Sequence, residues 1–270
     1  MTKTAVYSIK GEKIADVELP KQFSETIRPD LIKRAVLAIQ SHNFQAYGTD
    51  PEAGNKQGKA WTKNRHKWNT TYGQGQSRVA RKSLSTRGKR IHWVGARISQ
   101  AIGGKSAQAP KVEKIIYQKI NVKERLKALR SAIAASINKN LVEQKHTLNG
   151  IKGFPLIVEN KIENLKKSKE IIDTLNNLGL SQELDRTKQK KVRAGKGKMR
   201  GRKYKRKVGP LIVVSGPCDT EKSARNVAGV KVCQVRYLNS ELLAPGAKPS
   251  RLVIWTPASL DIMLKENLFK

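Results

Sequence analysis

The sequence predicts an α/β protein: an open, mostly parallel sheet flanked by helices, with a long basic Gly/Trp-containing extended loop and a second basic loop. Three observations predict it. Four short runs rich in β-branched residues, Pro155–Val158, Leu211–Val214, Val232–Val235 and Leu252–Trp255, are apolar without alternating, as in strands covered on both faces. Helical segments lie between or after them, which implies right-handed βαβ crossovers. Residues 45–110 and 186–209 have no sustained apolar period and concentrate the positive charge.

Taken in order, Thr4–Ile9 and Ile14–Glu18 flank Lys10-Gly11-Glu12 and predict a hairpin. Pro29 suits the first turn of a helix running to about Asn43, with Ile32, Ala35, Val36 and Ile39 on one face. After the first basic stretch, Leu126, Leu129, Ile133, Ile137 and Leu141 make the stripe of a single helix over Val122–Lys145. Asn121 stands at its cap and Glu124 at the capping-box position. A helix over Lys169–Leu178 ends at Gly179, a suitable residue just past a helix. Further helices are expected near Thr220–Val227, Asn239–Leu243 and Pro257–Leu268. Residues 1–44 and 111–270 are therefore read as one α/β domain, with 45–110 inserted as an extended loop and 186–209 forming a basic loop within it.

Lys+Arg number 55 against 21 Asp+Glu, a net charge of +34 in 270 residues. Such an excess repels itself in a compact chain unless a polyanion neutralises it. The two stretches hold 26 of the 55 cations and two of the 21 acids, hence +24 of the +34. The remainder is an ordinary folding sequence; at 38% hydrophobic residues the chain can build a core. Residues 45–110 also hold nine of the 20 glycines and three of the 4 tryptophans. Disordered linkers avoid large aromatics, so this stretch reads as an excursion, partly unstructured alone and ordered by its partner.

Cations for phosphates and flat rings for unpaired bases are the chemistry of RNA binding. In the first stretch the candidates are Lys56, Lys59, Lys63, Arg65, Lys67, Arg81, Lys82, Arg87, Lys89, Arg90, Arg97 and Lys105. Trp61, Trp68 and Trp93 are the stacking groups. These tryptophans either stack on bases or pack a small core of their own; their flanks in AWTKNRHKWN and KRIHWVGAR are cationic, which favours stacking. In the second stretch the candidates are Lys190, Lys191, Arg193, Lys196, Lys198, Arg200, Arg202, Lys203, Lys205, Arg206 and Lys207. Glycine there lets the backbone approach phosphates.

Other chemistries fit poorly. In the second stretch Gly195 and Gly201 are followed by Arg202 where a phosphate loop needs Lys-Ser/Thr, and the run precedes a strand. Cys218 and Cys233 form no CxxC pair, which argues against zinc and against a disulfide framework and suits reduced intracellular thiols. His42, His66, His92 and His146 are scattered, and no metal site is expected. No apolar run reaches the ~20 residues of a membrane span, and the amino-terminal residues lack a signal-peptide core. No recognition helix, zinc module or basic zipper points to DNA, and no amphipathic helix points to a membrane. The loop Ser215–Thr220, between a strand and a helix, reads as a plain turn. It is also the one place where an anion or a Cys218 nucleophile would serve an enzyme. An RNA-modifying or nucleotide-dependent enzyme built on the sheet is therefore the alternative to a structural RNA-binding protein.

The chain resembles large-subunit ribosomal protein four in its archaeal and eukaryotic-type form. The resemblance runs from residue 5 to about 266. It is carried by VYSIKGEKIADVELPKQF, IRPDLIKRAVLA, GQGQSRVAR, IGGKSAQAPKVEK and MRGRKYKRKVGPLIVV. One departure is Val79-Ala80-Arg81, where the family often has Val-Pro-Arg. The resemblance implies an open α/β domain, a non-enzymatic constituent of the cytoplasmic ribosome, and an early role in subunit assembly. It implies large-subunit (23S-type) rRNA as partner, with Mg ions only through that RNA. It also implies a long loop whose tip, Tyr72, Gly73, Gln74, Gly75, Gln76, Ser77 and Arg78, lines the nascent-peptide exit tunnel beside ribosomal protein twenty-two and meets the nascent polypeptide.

Overall fold

The computed structural model describes residues 3–56, 65–67 and 70–269. In chain order its strands and helices are β1 (Lys3–Tyr7), β2 (Lys13–Glu18), α1 (Pro29–His42), β3 (Arg81–Arg87), β4 (Arg90–Gly95), α2 (Val122–Ala135), α3 (Lys139–Glu143), β5 (Leu156–Val158) and α4 (Ser168–Asn177). Then follow α5 (Ser181–Lys188), β6 (Lys190–Val192), β7 (Tyr204–Arg206), β8 (Leu211–Val214), α6 (Thr220–Ser223), β9 (Lys231–Gln234), α7 (Ser240–Leu243), β10 (Val253–Trp255) and α8 (Pro257–Lys265). The chain divides into two compact units, Met1–Asn43 with Tyr117–Lys270, and Phe44–Ile116.

In the first unit six strands lie in the order β2-β1-β5-β10-β8-β9. Only the β1–β2 pair is antiparallel; Val6 pairs with Ile157, Trp255 with Ile157 and with Val213, and Val213 with Cys233, all in parallel ladders. The apolar runs do not alternate because both faces are covered. Ile157, Leu211, Val213, Val253 and Trp255 pack with Ile32 and Val36 of α1, Ile133 of α2 and Met263 of α8. Leu156, Val158, Ile212, Val214 and Ile254 pack with Ile171 and Leu175 of α4 and Leu184 of α5. Trp255 meets Phe23 edge to face at 5.1 Å between centroids. Each layer thus removes one stripe of large side chains from water, the dominant favourable contribution to folding.

Local signals explain the boundaries. Thr256 accepts from the Ser259 N–H ahead of Pro257, capping α8. Past α4, Gly179 has φ +86°, and Leu180 N–H donates to Leu175 O at 3.0 Å, the glycine-terminated helix end. A Cβ at Gly179 would stand 1.9 Å from Gly150 O, so both the conformation and the close approach require glycine.

The helix expected over Val122–Lys145 is two helices. Ser136 Oγ turns back to Ile133 O at 2.6 Å, and Asn138 begins α3. The break carries the chain from one core to the other, with Ile133 in the first and Val142 in the second; a straight helix would keep both on one face. Asn121 precedes α2 without a side-chain capping bond, and Glu124 instead pairs with Arg34 at 3.2 Å. The 186–209 run is not wholly a loop. Arg186 and Lys188 belong to α5, and β6 and β7 form a hairpin.

Candidate nucleic-acid interface

The second basic stretch builds one hairpin. Lys190 faces Arg206, Lys191 faces Lys205 and Val192 faces Tyr204, and Arg193 N–H extends the ladder to Lys203 O at 2.8 Å. Gly195 at φ +78° and Gly201 at φ +75° bracket a 3-10 turn, Lys196–Arg200. The strands and Lys196, Lys198, Arg200, Arg202, Lys203 and Lys207 are exposed; Arg193 is half-buried, its Nε donating to Arg202 O at 3.1 Å. Lys190 and Lys203 approach the Tyr204 ring at 5.8 and 5.6 Å. Like charges directly opposite one another on a hairpin are destabilising, and an isolated two-stranded hairpin is marginal in water. Two consecutive cation–cation rungs on one short exposed hairpin therefore call for an external anion.

The unit Phe44–Ile116 holds the other hairpin, β3 with β4, where the sequence predicts an extended loop. Arg81 faces Gly95, Ser83 faces Trp93 and Arg87 faces Arg90, with a register shift between Ser83 and Ser85. Gly88, at φ +58°, and Lys89 form its turn. Ala96 N–H donates to Ala80 O at 2.9 Å, so Ala80 and Ala96 close the hairpin's base, both buried. Ile91, Trp93 and Gly95 are half-buried while Arg90, His92 and Val94 are exposed. That period of two, with Gly88 at the turn, was the missed signal.

Within this unit the candidate residues fare differently. Arg87, Lys89, Arg90 and Lys105 are exposed. Lys56 pairs with Asp50, Arg97 donates to Asn55 Oδ1 at 3.0 Å, and Arg81 donates to Ser77 O and Oγ at 2.5 and 2.8 Å. Lys82 is half-buried. Arg65 and Arg78 approach the Tyr72 ring at 5.6 and 5.8 Å, and Lys67, two residues after Arg65, is exposed. Gly73 to Arg78 are all exposed, with Gly73 at φ +78° and Gly75 at φ +67°, between buried Thr70, Thr71 and Ala80. Trp93 is half-buried in its hairpin. Lys59, Trp61, Lys63 and Trp68 lie outside the described residues.

The carboxyl ends of the parallel strands, where open α/β sheets bind ligands, are filled by the protein itself. Glu163 accepts from Ser215 N–H at 2.9 Å, Ser215 Oγ at 2.6 Å and Thr256 Oγ1 at 2.9 Å. Its carboxylate takes up the donors that an anionic ligand would need. Burial pushes the Cys218 thiol up, away from the reactive thiolate.

A second buried polar cluster stands at the root of the basic hairpin. His146 Nδ1 lies 2.6 Å from Glu183 Oε1, Arg186 clamps the same carboxylate at 2.6 and 2.7 Å, and Arg186 also donates to Val208 O at 2.7 Å. Burial lowers the His146 pKa against the pull of Glu183; burial raises that of Glu183, but Arg186 and His146 bring it below its ordinary value. The pair is thus a neutral imidazole donating to a carboxylate. The pair ties α5 to the chain after α3, while Arg186 ties α5 to Val208 just past the hairpin; the pair's members, 37 positions apart in the chain, carry no shared sequence motif. Among the described residues, no cluster of three or more His, Cys, Asp or Glu is arranged to hold a metal, and no helix is long and apolar enough to cross a membrane.

Comparison with known proteins agrees with this picture. Residues 17–265 match the sequence profile of the ribosomal protein L4/L1 family. Among similar proteins, a large ribosomal subunit protein uL4 from Nanoarchaeum equitans is 47% identical over 267 residues, covering 98% of both chains. The proteins of the same name from Methanocaldococcus jannaschii and Archaeoglobus fulgidus are each 41% identical, over 98% and 97% of this chain and 99% and 98% of theirs. A doubly covered α/β sheet carrying cation-lined hairpins, matched along nearly its whole length, belongs to the ribosomal protein L4/L1 family.

Proposed function

We propose that the protein is a structural constituent of the large ribosomal subunit that binds and organises large-subunit rRNA. It is not an enzyme and works in the cytoplasm as part of the ribosome. The observation that carries this reading is the exposed β6–β7 hairpin with its facing cations, Lys190 to Arg206 and Lys191 to Lys205. RNA phosphates convert that internal repulsion into binding energy. The hairpin springs from α5 and returns to the buried strand β8, so its cations are presented from packed elements. Arg87, Lys89 and Arg90 at the tip of the other hairpin supply a second set of phosphate contacts, and Trp93 an aromatic face.

The segment Tyr72–Arg78 is the part that lines the nascent-peptide exit tunnel, beside ribosomal protein twenty-two. Its exposure, its two left-handed glycines and the two guanidiniums near its Tyr72 ring support an exposed tip. The protein acts early in assembly, because a folded domain bearing unneutralised cations is ready to bind RNA as soon as both exist. The test is binding to a large-subunit rRNA fragment as a function of salt. With about ten phosphate contacts the slope of log K against log salt is on the order of −7 or steeper, and a slope near −1 overturns the reading. For the tip, deleting Gly73–Arg78 leaves buried Thr70, Thr71 and Ala80 in place. The deleted protein should enter the subunit normally and alter stalling on a tunnel-sensitive nascent peptide; unchanged stalling refutes the tunnel assignment.

A further inference from the structure

At the amino-terminal edge of β8, β9 and β10, where the basic hairpin rejoins the domain, lies a cavity of about 210 Å³ walled by Val208, Lys231, Glu241, Pro245 and Arg251 among others. Arg251 is 1% exposed. Its Nε donates to Gly209 O at 3.2 Å and its Nη1 to Leu242 O at 2.8 Å. Its Nη2 has no hydrogen-bond partner among the described residues. A buried cationic donor left unpaired is costly, so such a group points to a partner from outside the chain.

The surrounding charge is mainly positive. Lys231 lines the cavity and is exposed, which opens that side to solvent. Lys145 Nζ donates to Pro245 O at 2.6 Å, placing a further ammonium at the wall. Burial lowers the Lys145 pKa, and Lys248, Arg251 and Arg186 lower it further; burial alone holds Arg251 down to about 10. Glu241 is the carboxylate on the wall, and its Oε1 accepts from Gln40 at 3.1 Å. It makes no hydrogen bond to Arg251 among the described residues. The volume is about seven times the ~30 Å³ a water occupies in the liquid, room for a tetrahedral oxyanion with its remaining hydration.

We propose that this cavity is a phosphate-binding site, in which Arg251 and Lys231 hold a tetrahedral phosphate oxyanion at the root of the basic hairpin. A phosphodiester of bound RNA and a free phosphate share that chemistry. The site stands apart from the ribosomal reading, and only the RNA source rests on it. Its position fits the hairpin, because Val208 of the cavity wall stands two residues past the hairpin strand ending at Arg206.

The test is thermal unfolding of the full chain in inorganic phosphate against chloride at equal ionic strength. Phosphate should raise the midpoint saturably, by about 3–6 °C at ten times Kd. Lys231→Gln, at an exposed position, should abolish the saturable rise without unfolding the domain, and Lys205→Gln on the hairpin should retain it. Arg251→Lys, if it folds, should weaken it. A rise that never saturates, or one equal in wild type, Lys231→Gln and Lys205→Gln, overturns the site, because it then reflects screening of net charge. With an rRNA fragment, a salt slope shallower by about 0.8 in Lys231→Gln assigns the site to an RNA phosphate. An unchanged slope with the phosphate effect intact assigns it to free phosphate. A chain that binds phosphate here but no rRNA would refute the ribosomal reading and leave the site standing.

Discussion

Lys191→Glu should move stability and RNA affinity in opposite directions. Lys191 faces Lys205 across the β6–β7 ladder, beside the Lys190–Arg206 rung. The substitution replaces a repulsive rung by an attractive one. Cross-strand charge pairs are worth roughly 0.2–1 kcal/mol, which corresponds to about a 1.4- to 5-fold gain in amide protection. The amides to follow are those within the hairpin, above all Arg193, whose N–H donates to Lys203 O. Hydrogen exchange by NMR on the free protein reads the effect locally, where a global melting curve is blind to a frayed hairpin. The same change removes one cation from the RNA face. Losing one phosphate contact flattens the salt slope by about 0.8 and lowers affinity at 0.1 M salt by about six-fold. The new carboxylate adds repulsion to that. Filter binding over a salt series measures both numbers. If protection rises and RNA affinity stays level, the hairpin is a solvated ornament. If both fall, the rung was stabilising and the electrostatic argument is wrong.

Both His146 and Glu183 have folded pKa values below their ordinary 6.5 and 4.5, so the unfolded chain binds more protons as pH falls. Stability should be complete above about pH 7, fall first below 6.5 as unfolded His146 gains its proton, and fall again below 4.5 with Glu183. Urea midpoints against pH in His146→Gln should lose the first fall and keep the second. Gly179→Ala, forced to φ +86° with its Cβ against Gly150 O, should lose about 2 kcal/mol or more in urea denaturation; a loss under half of that means the turn relaxes freely. Limited trypsin digestion without RNA should cut first near Arg78 and within residues 193–203, and first cuts inside β8–β10 would reverse the division between exposed segments and core. Glu163→Ala should destabilise the domain by roughly 1–3 kcal/mol, because Ser215 N–H and the Ser215 and Thr256 hydroxyls lose their shared acceptor.

The centre of the sheet was legible because β5, β8 and β10 are short, rich in branched aliphatic residues and buried on both faces, so Leu211–Val214 was identified to the residue. The break at Ser136 was not, since its cause is tertiary: the chain must leave one core for the other, while Leu126–Leu141 keeps a helical period throughout. The two hairpins escaped for the opposite reason. β3, β6 and β7 are built mainly of Lys, Arg and Ser, so alternation there has little apolar contrast to display; only β4, with Ile91 and Trp93, carries it. The charge density itself was plain, and so were its segments. The partners inside it were not: that Arg81 bends back to Ser77, and Lys56 to Asp50, depends on loop geometry. Least visible were Glu163, Glu183 and Arg251. An acid or a base in a basic chain reads as surface, and only distance in space reveals that each is held inside the domain by partners 3 to 93 positions away.

Glu163 has a consequence for timing. By presenting its own carboxylate to Ser215 and Thr256, the chain carries a built-in counter-anion at the end of the sheet where related architectures wait for a cofactor. That end of the sheet is thereby completed without a cofactor. A newly made copy can close it alone while its cationic projections are still unmet. Completion of those projections then marks arrival at the RNA rather than completion of folding, so the two events can be separated in time and followed separately.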